Sequence, residues 1–456
     1  MKEINEKRRF TITTLGCKVN QYESEQIAKG LVDEGFTYLD AALTVEDKPA
    51  DLCIINTCTV THKAAMQSRQ AIRQAIRNHP GALIMVTGCY AQTEPAAIKK
   101  IEGVHHIIPH REKDRIPTLA FSLFETETIK KSAVTSDTSG DTTIPLKFPW
   151  VAGANKTRPF LKIQDGCDAF CSYCIVPHAR GSSRSMTAED VLKQLKAYHQ
   201  NGFHEVVLTG IHLGRYGRDL LPPTTLFDLL KLIQSRRSIG RLRLSSIEPL
   251  ELTRDIIQMV DGSQGAAGGI CRHFHIPLQS GDNAILKKMN RPYRREVFKK
   301  LVLDIKEILP DAGIGCDILI GFPGETDDAF ENTYQLIRDL PLTYLHVFPF
   351  SAREGTPASR FPGKVPDQVI KARCRAMREL GQNKRKAFLN SQEGHRATVL
   401  VENRRDRGTG QLKGITSNYI TVLMEGDDHL MNTFQEVRLN GLHDDQTMTG
   451  TLLTGP

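Results

Sequence analysis

Apolar and polar positions along the chain follow two similar series before a third pattern takes over near the C-terminus. The runs "RRFTITTLGC", "ADLCIINTC" and "GALIMVTGC" are short, apolar and rich in β-branched residues, and each precedes a stretch with helical spacing. Helices are expected from about Glu23 to Glu34 and through "HKAAMQSRQAIRQAIRN". Short strands alternating with helices predict an α/β fold, here an open, mostly parallel sheet with right-handed crossovers. A second series supplies six candidate strands, "PFLKIQ", "EVVLTG", "RLRLSS", "HFHIPL", "GIGCDILIGF" and "YLHVFPF". Six such units predict a full or partial (β/α)6 barrel of the TIM type, with its site at the C-terminal mouth of the strands. A helix rich in Lys and Arg follows, roughly Pro366 to Asn390. From about Glu393 the chain turns to "RATVLVEN", "NYITVLME", "FQEVRLNGL" and "TMTGTLLTGP", with turns at "RGTG" and "EGDD", which predicts a small all-β barrel.

Between the two α/β series, "TETIKKSAVTSDTSGDTTIPLKFPWVAGANKT" loses periodicity and gains Ser, Thr, Gly and Pro, as linkers do. The expected division is an α/β domain over 8–126, a linker over 127–157, a barrel over 158–391 and a β-domain over 392–456. Runs such as "CIIN" and "ALIMV" fall far short of the ~20 apolar residues that cross a bilayer. The start, "MKEINEKRRF", has no apolar stretch of a secretory signal. No membrane partner and a cytoplasmic location are therefore expected. In that reducing compartment ten cysteines serve as ligands, catalysts or core residues rather than disulfides. The net charge of +8 divides into +1 over 1–130, +10 over 131–391 and −3 over 392–456. A basic middle suits an anionic partner such as RNA, and simple solubility equally well.

The cysteines carry the chemistry. "CDAFCSYC" places Cys167, Cys171 and Cys174 within eight residues, directly after the first barrel strand and so at the mouth. No fourth ligand follows in a second CxxC pair, as a structural zinc site would have, although His178, His273 and His275 keep a zinc reading open. A [4Fe–4S] cluster is the alternative, because each iron wants one thiolate and three cysteines leave one iron free for a small molecule. Cys17, Cys58 and Cys89 each sit just past a different strand of the first series. Parallel strands put those ends on one sheet edge, so these three are expected to converge. Cys53, Cys271, Cys316 and Cys374 read as core residues. Alternation along "GCDILIGF" points one of Cys316 and Asp317 into the barrel and the other out.

"CDAFCSYC", with Tyr173 before its last cysteine, resembles the cluster motif of radical S-adenosylmethionine enzymes. The order of "TLGCKVNQYES", "NTC", "GCYAQ", "LTGIHLGRYG", "HIPLQSGD", "DILIGFPGET" and "FSAREGTPA" resembles that of the methylthiotransferases among them, over nearly the whole chain. "GCKVNQYES" is most similar to the branch that modifies tRNA at N6-threonylcarbamoyladenosine, and the terminal β-domain takes the place of their TRAM domain. The resemblance implies that Cys167, Cys171 and Cys174 hold a cluster whose open iron binds S-adenosylmethionine for cleavage to a 5′-deoxyadenosyl radical. It implies a second cluster on Cys17, Cys58 and Cys89, where the transferred sulfur is carried and methylated. The radical would take hydrogen from C2 of an adenine, and a methylthio group would replace it. Tyr173, Gly210, Glu248, Gln279 and Ser280 would contact the cofactor, although turns and loop-end hydrogen bonds explain several of them equally.

The partners implied are the anticodon stem-loop of tRNA, an electron donor protein and a sulfur source. Isopentenyl-adenosine in tRNA, an aspartate of a ribosomal protein, or RNA binding without catalysis are the competing readings. The terminal domain departs from an RNA-binding expectation in being net acidic, though Arg404, Arg405 and Arg407 cluster on one turn near Lys413.

Overall fold

The computed structural model describes residues 8–39, 49–125, 156–262 and 269–453; the expected linker falls almost wholly outside them. The first unit is a parallel sheet of β1 (Arg9–Thr14), β2 (Thr37–Tyr38), β3 (Leu52–Thr57), β4 (Leu83–Gly88) and β5 (His106–Ile107), in the order β2-β1-β3-β4-β5. β3 and β4 are buried at every position, which is why they read as unbroken apolar runs. Three helices matter for the site: α1 (Lys18–Asp33), α2 (His62–Asn78) and α3 (Cys89–Thr93). α1 starts before the expected Glu23 because Cys17 occupies its N-cap with no side-chain cap bond, leaving no capping signal to read. The chain runs outward from β1 to β2 and, on the other side, from β3 to β5. A crevice therefore opens beyond the C-terminal ends of β1 and β3.

The second unit has the six expected strands, β6 (Phe160–Lys162), β7 (Glu205–Thr209), β8 (Arg241–Leu244), β9 (His273–His275), β10 (Gly313–Ile320) and β11 (Tyr344–Pro349). All pair in parallel, β6-β7-β8 and β9-β10-β11. Ile247 N–H donates to His275 O at 3.0 Å to join the two groups. Among the described residues no pairing links β6 to β11, so the barrel is partial. Its outward residues, such as Leu161, Leu208, Leu242, Phe274, Ile314 and Cys316, form the main core with the surrounding helices. Alternation then turns Glu205, Arg243, His273, His275 and Asp317 into the lumen.

α4 (Val176–Arg180) follows the cysteine loop, and α5 (Asp367–Asn390) leads to the last unit. That unit is a closed barrel of five strands, Arg396–Val401, Leu412–Thr416, Thr421–Met424, Phe434–Leu442 and Thr447–Leu452. Leu412–Thr416 was not expected: Gly414 breaks its apolar run, yet a Cβ there would lie 2.2 Å from Val399 Cγ1. The unit seals the N-terminal end of the larger barrel. Arg243 Nη2 donates to Thr416 O at 2.9 Å, Arg243 Nη1 to Ser417 O at 3.1 Å, and Arg241 Nη2 to Ile415 O at 3.1 Å. Both guanidinium groups also bind buried Glu205. Burial alone would raise that carboxyl, but Arg241 and Arg243 outweigh it and hold it at about 2. Arg405 is tied to Asp428 and to the carbonyls of Gly410 and Gly426, so it serves this barrel rather than a free basic patch. No described helix is long and apolar enough to cross a membrane.

Candidate active site

Cys17, Cys58 and Cys89 follow the ends of three neighbouring strands, and the local hydrogen bonds explain how they are held. Asn20 Nδ2 donates to Leu15 O at 2.7 Å and Thr57 O at 3.1 Å, fastening the Cys17 turn to the end of β3. Ser68 of α2 brackets Cys58, accepting from its N–H at 3.1 Å and donating to its carbonyl at 2.9 Å. Thr57 Oγ1 donates to Thr87 O at 2.6 Å and accepts from Ala91 N at 3.3 Å, tying the Cys58 and Cys89 ends together. Two glycines make the approach possible. Gly16 has φ 99° with the Cys58 Sγ 2.9 Å from where a Cβ would be, and Gly88 has φ 100° with Thr57 O at 2.3 Å. Cys58 and Cys89 are buried and Cys17 is accessible. Burial pushes the Cys58 thiol up to about 11, with Cys89 and Cys17 adding to the effect, and burial also raises Cys89.

The second trio sits on one loop. Gln164 Nε2 donates to Asp165 O at 3.0 Å and Gly166 O at 2.8 Å, while its Oε1 accepts from His212 N at 2.7 Å. Cys167 N donates to Gly181 O and Ser172 N to Met289 O, both at 3.0 Å, so the loop is pinned at both ends. Burial pushes Cys174 up to about 12, with Cys171 and Cys167 adding to it, and burial also raises Cys171. Two side chains contact the sulfurs. Arg291 Nη1 donates to Cys171 Sγ at 3.3 Å and pairs with Glu248. His212 Nδ1 lies 3.4 Å from Cys167 Sγ, and its Nε2 lies 2.9 Å from Glu251. Burial would lower His212, but hydrogen bonds to Cys167 and Glu251 outweigh it and raise it to about 9. His212 lies inside the quoted "LTGIHLGRYG", just past a barrel strand, and that position was the one signal for it. Nothing around Arg291 marked it.

The two trios stand on either side of α4. It begins two residues after Cys174 and ends on Arg180, whose Nη2 donates to Asn20 Oδ1 at 2.6 Å beside the Cys17 turn. Five helical residues span only ~7.5 Å. Arg180 also binds Glu23 at 2.9 Å and Asp165 at 2.8 Å; Lys113, Lys162 and His110 complete a buried charged cluster. Glu23, His110 and Asp165 could geometrically hold a cation, but Arg180, Lys113 and Lys162 already neutralise them.

The remaining expected residues are distributed as follows. Tyr173 packs against the Phe322 and Met289 cluster, and its hydroxyl is raised well above the usual phenol range, mainly by burial. Gly210 is packed so tightly on Gln164 that a Cβ would meet Oε1 at 2.9 Å, which by itself calls for glycine. Glu248 sits beside Cys171 through Arg291. Gln279 has φ 69° and bridges to Ile318 at the end of β10. Ser280 is buried, and its hydroxyl lies 3.3 Å from Thr333 Oγ1 while accepting from Asp282 N, so the loop itself uses it. Cys53, Cys271, Cys316 and Cys374 are buried, and Asp317 faces the lumen, 2.8 Å from His275 and 3.3 Å from His346. His178 is exposed, and His273 and His275 are engaged by Tyr344 at 2.8 and 3.0 Å, so these three do not gather at the cysteines.

A partial parallel barrel with three cysteines on its first mouth loop defines a class, and comparison with known proteins agrees. Residues 161–337 match the model of the radical SAM superfamily, and residues 9–109 match an uncharacterized family, UPF0004. The chain is 36% identical over 429 residues to the threonylcarbamoyladenosine tRNA methylthiotransferase MtaB of Bacillus subtilis, covering 93% of this chain and 92% of that one. It is 36% identical to the MtaB protein of Aquifex aeolicus, over 91% and 96%. It is 32% identical to a tRNA-2-methylthio-N(6)-dimethylallyladenosine synthase of Clostridium botulinum, over 96% of each. Among solved structures, the radical S-adenosylmethionine methyltransferase TsrM of Kitasatospora setae, with cobalamin and a [4Fe–4S] cluster bound, shares the fold. Its TM-score is 0.54 at 16% identity, over 77% of this chain and 74% of that one. The chain belongs to the tRNA methylthiotransferase family of radical S-adenosylmethionine enzymes. That membership brings S-adenosylmethionine and [4Fe–4S] chemistry with it.

Proposed function

We propose that this protein methylthiolates C2 of N6-threonylcarbamoyladenosine at position 37 of tRNA, using two [4Fe–4S] clusters. The observation that carries it is the pair of cysteine trios, each one ligand short of a closed site, separated by one short helix. The donor sets fit clusters better than single ions. Among the described residues, no group of three ligand atoms within 4.8 Å of one another includes a cysteine. A lone tetrahedral zinc with bonds of ~2.3 Å needs sulfurs only ~3.8 Å apart.

Cys167, Cys171 and Cys174 would hold the cluster that binds S-adenosylmethionine, and Cys17, Cys58 and Cys89 the one that carries sulfur. When bound, these groups supply reductive cleavage of the sulfonium and a sulfur atom ready for transfer. The chain's own residues set their surroundings. Arg291 and His212 place positive charge against two of the thiolates. Glu248, Gln279 and Tyr173 would lie near the cofactor's polar groups, and Gly210 lets the backbone pack directly on Gln164, which holds the His212 N–H. Tight packing of Phe322 and Met289 around Tyr173 keeps water from that side of the loop.

The reaction consumes electrons and sulfur that the chain does not contain, so an electron donor protein and a sulfur source are partners. The anticodon stem-loop would approach from the open side of the barrel, and work on tRNA places the protein in the cytoplasm. Nucleoside mass spectrometry of tRNA from cells lacking this protein tests the reading. It predicts loss of the 2-methylthio derivative of N6-threonylcarbamoyladenosine, with the unthiolated nucleoside accumulating. Loss of the methylthio derivative of isopentenyl-adenosine instead would overturn it.

A further inference from the structure

Beside Cys17 the structure contains a cavity of about 310 Å³ that none of the cysteines lines. Its wall is assembled from all three units: Lys18 of α1, Lys156 and Arg158 ahead of the barrel, Arg243 inside it, and Arg404 of the terminal β-barrel. Glu402 is the one carboxylate among its lining residues. A small concavity with that balance of charge is suited to an anion.

The cations are not equivalent. Lys156 is paired with Glu25 at 2.5 Å, and Arg158 with Glu402 at 2.8 Å. Arg243 is buried against Glu205 at 2.8 Å and bound to the carbonyls of Thr416 and Ser417. Asp317, whose charge acts on Lys18, is committed to His275 and His346. Among the described residues, no carboxylate lies within ion-pair distance of Lys18, which shares the cavity wall with Arg158 and Arg243. It is exposed and lines this cavity. Its Cα is only ~3.8 Å from that of Cys17, one of the candidate sulfur-site ligands.

We propose that Lys18 is the specificity residue of the enzyme: its ammonium receives the carboxylate that the substrate adenine carries on its N6 side chain. The inference rests on the substrate reading above. C2 and C6 of adenine both flank N1, so with C2 directed at the sulfur-carrying site the N6 substituent leaves the same edge of the base. The cavity beside Cys17 receives it there. Arg158 and Arg243 add long-range attraction for the same charge while keeping their own partners. An uncharged N6 substituent would leave Lys18 desolvated and unpaired, so the same residue selects against it.

The test uses the holoenzyme and two synthetic anticodon stem-loops, one carrying N6-threonylcarbamoyladenosine and one its carboxyl methyl ester. The wild-type protein should favour the acid by about 10- to 100-fold in kcat/KM, the size expected for a charged hydrogen bond. Lys18→Gln should bring that ratio close to one, and Lys18→Arg should restore most of it. Binding of the two stem-loops, followed by fluorescence anisotropy, should show the same change in ratio and does not depend on turnover. A wild-type preference that Lys18→Gln leaves intact in both assays would overturn the role of Lys18 while leaving the substrate reading standing. Failure of the wild-type protein to act on the acid, with activity on an isopentenyl stem-loop, would overturn the substrate reading itself.

Discussion

The two cysteine trios present the same open ligand set but are built by opposite means. At the barrel mouth one loop supplies all three thiols, and its neighbours Arg291 and His212 reach the sulfurs directly. At the sheet edge the thiols come from three strand ends separated by tens of residues, and the side chains of Asn20, Thr57 and Ser68 fasten those ends by donating to backbone carbonyls. The first site is local and is carried by its loop; the second exists only when the sheet and α1 are folded. A local loop suits a centre that must deliver a reactive species in a fixed pose. In the proposed role of sulfur carrier, a site assembled from tertiary contacts would be complete only when the domain around it is folded. Arg180 couples them, since its chain segment belongs to the first and its side chain to the second.

Removing a ligand should separate the two centres most sharply. Cys167→Ala is expected to abolish S-adenosylmethionine cleavage, whereas Cys58→Ala should leave cleavage measurable and end sulfur transfer. Normal thiolation by Cys58→Ala would erase the distinction. Next in size is the buried charge cluster. Arg180→Met removes one of the two cations that Glu23 and Asp165 share, leaving only Lys162 between them, and should cost about 3–5 kcal/mol in chemical denaturation. A third effect is in pH. Burial, with help from Lys113 and Arg180, holds His110 down to about 4. The unfolded chain therefore binds a proton below ~6.5 that the folded chain refuses until about 4. Stability should fall as pH drops through that window, by on the order of 3 kcal/mol, and His110→Gln should flatten the profile. The smallest change should be the most selective. Gly88→Ala forces a Cβ against Thr57 O and costs about 1–3 kcal/mol locally. It should remove iron from the sheet-edge trio and spare the loop trio, as read by metal content.

What was legible in the sequence follows from the same contrast. The cysteine loop, the six barrel strands and the strand-end positions of Cys17, Cys58 and Cys89 were all readable, because they depend on local periodicity and on short spacing. Two elements were not. The start of α1 lacks a capping residue, and Leu412–Thr416 carries a glycine at a crowded inward position. The charged cluster of Glu23, His110, Lys113, Lys162, Asp165 and Arg180 was invisible, since its members are scattered over five elements and look like ordinary surface residues. Arg291 and Lys18 were missed for that reason too: tertiary packing alone brings them to the sulfurs and to the cavity.

The central claim is that both trios hold four-iron clusters in the same molecule. Mössbauer spectroscopy with iron quantification on anaerobically purified protein tests it directly. About eight irons per chain are expected, all in [4Fe–4S] form, falling to about four when either trio is replaced by alanine. Four irons in the intact protein, lost entirely with the Cys167 trio and unaffected by the Cys58 trio, would contradict it.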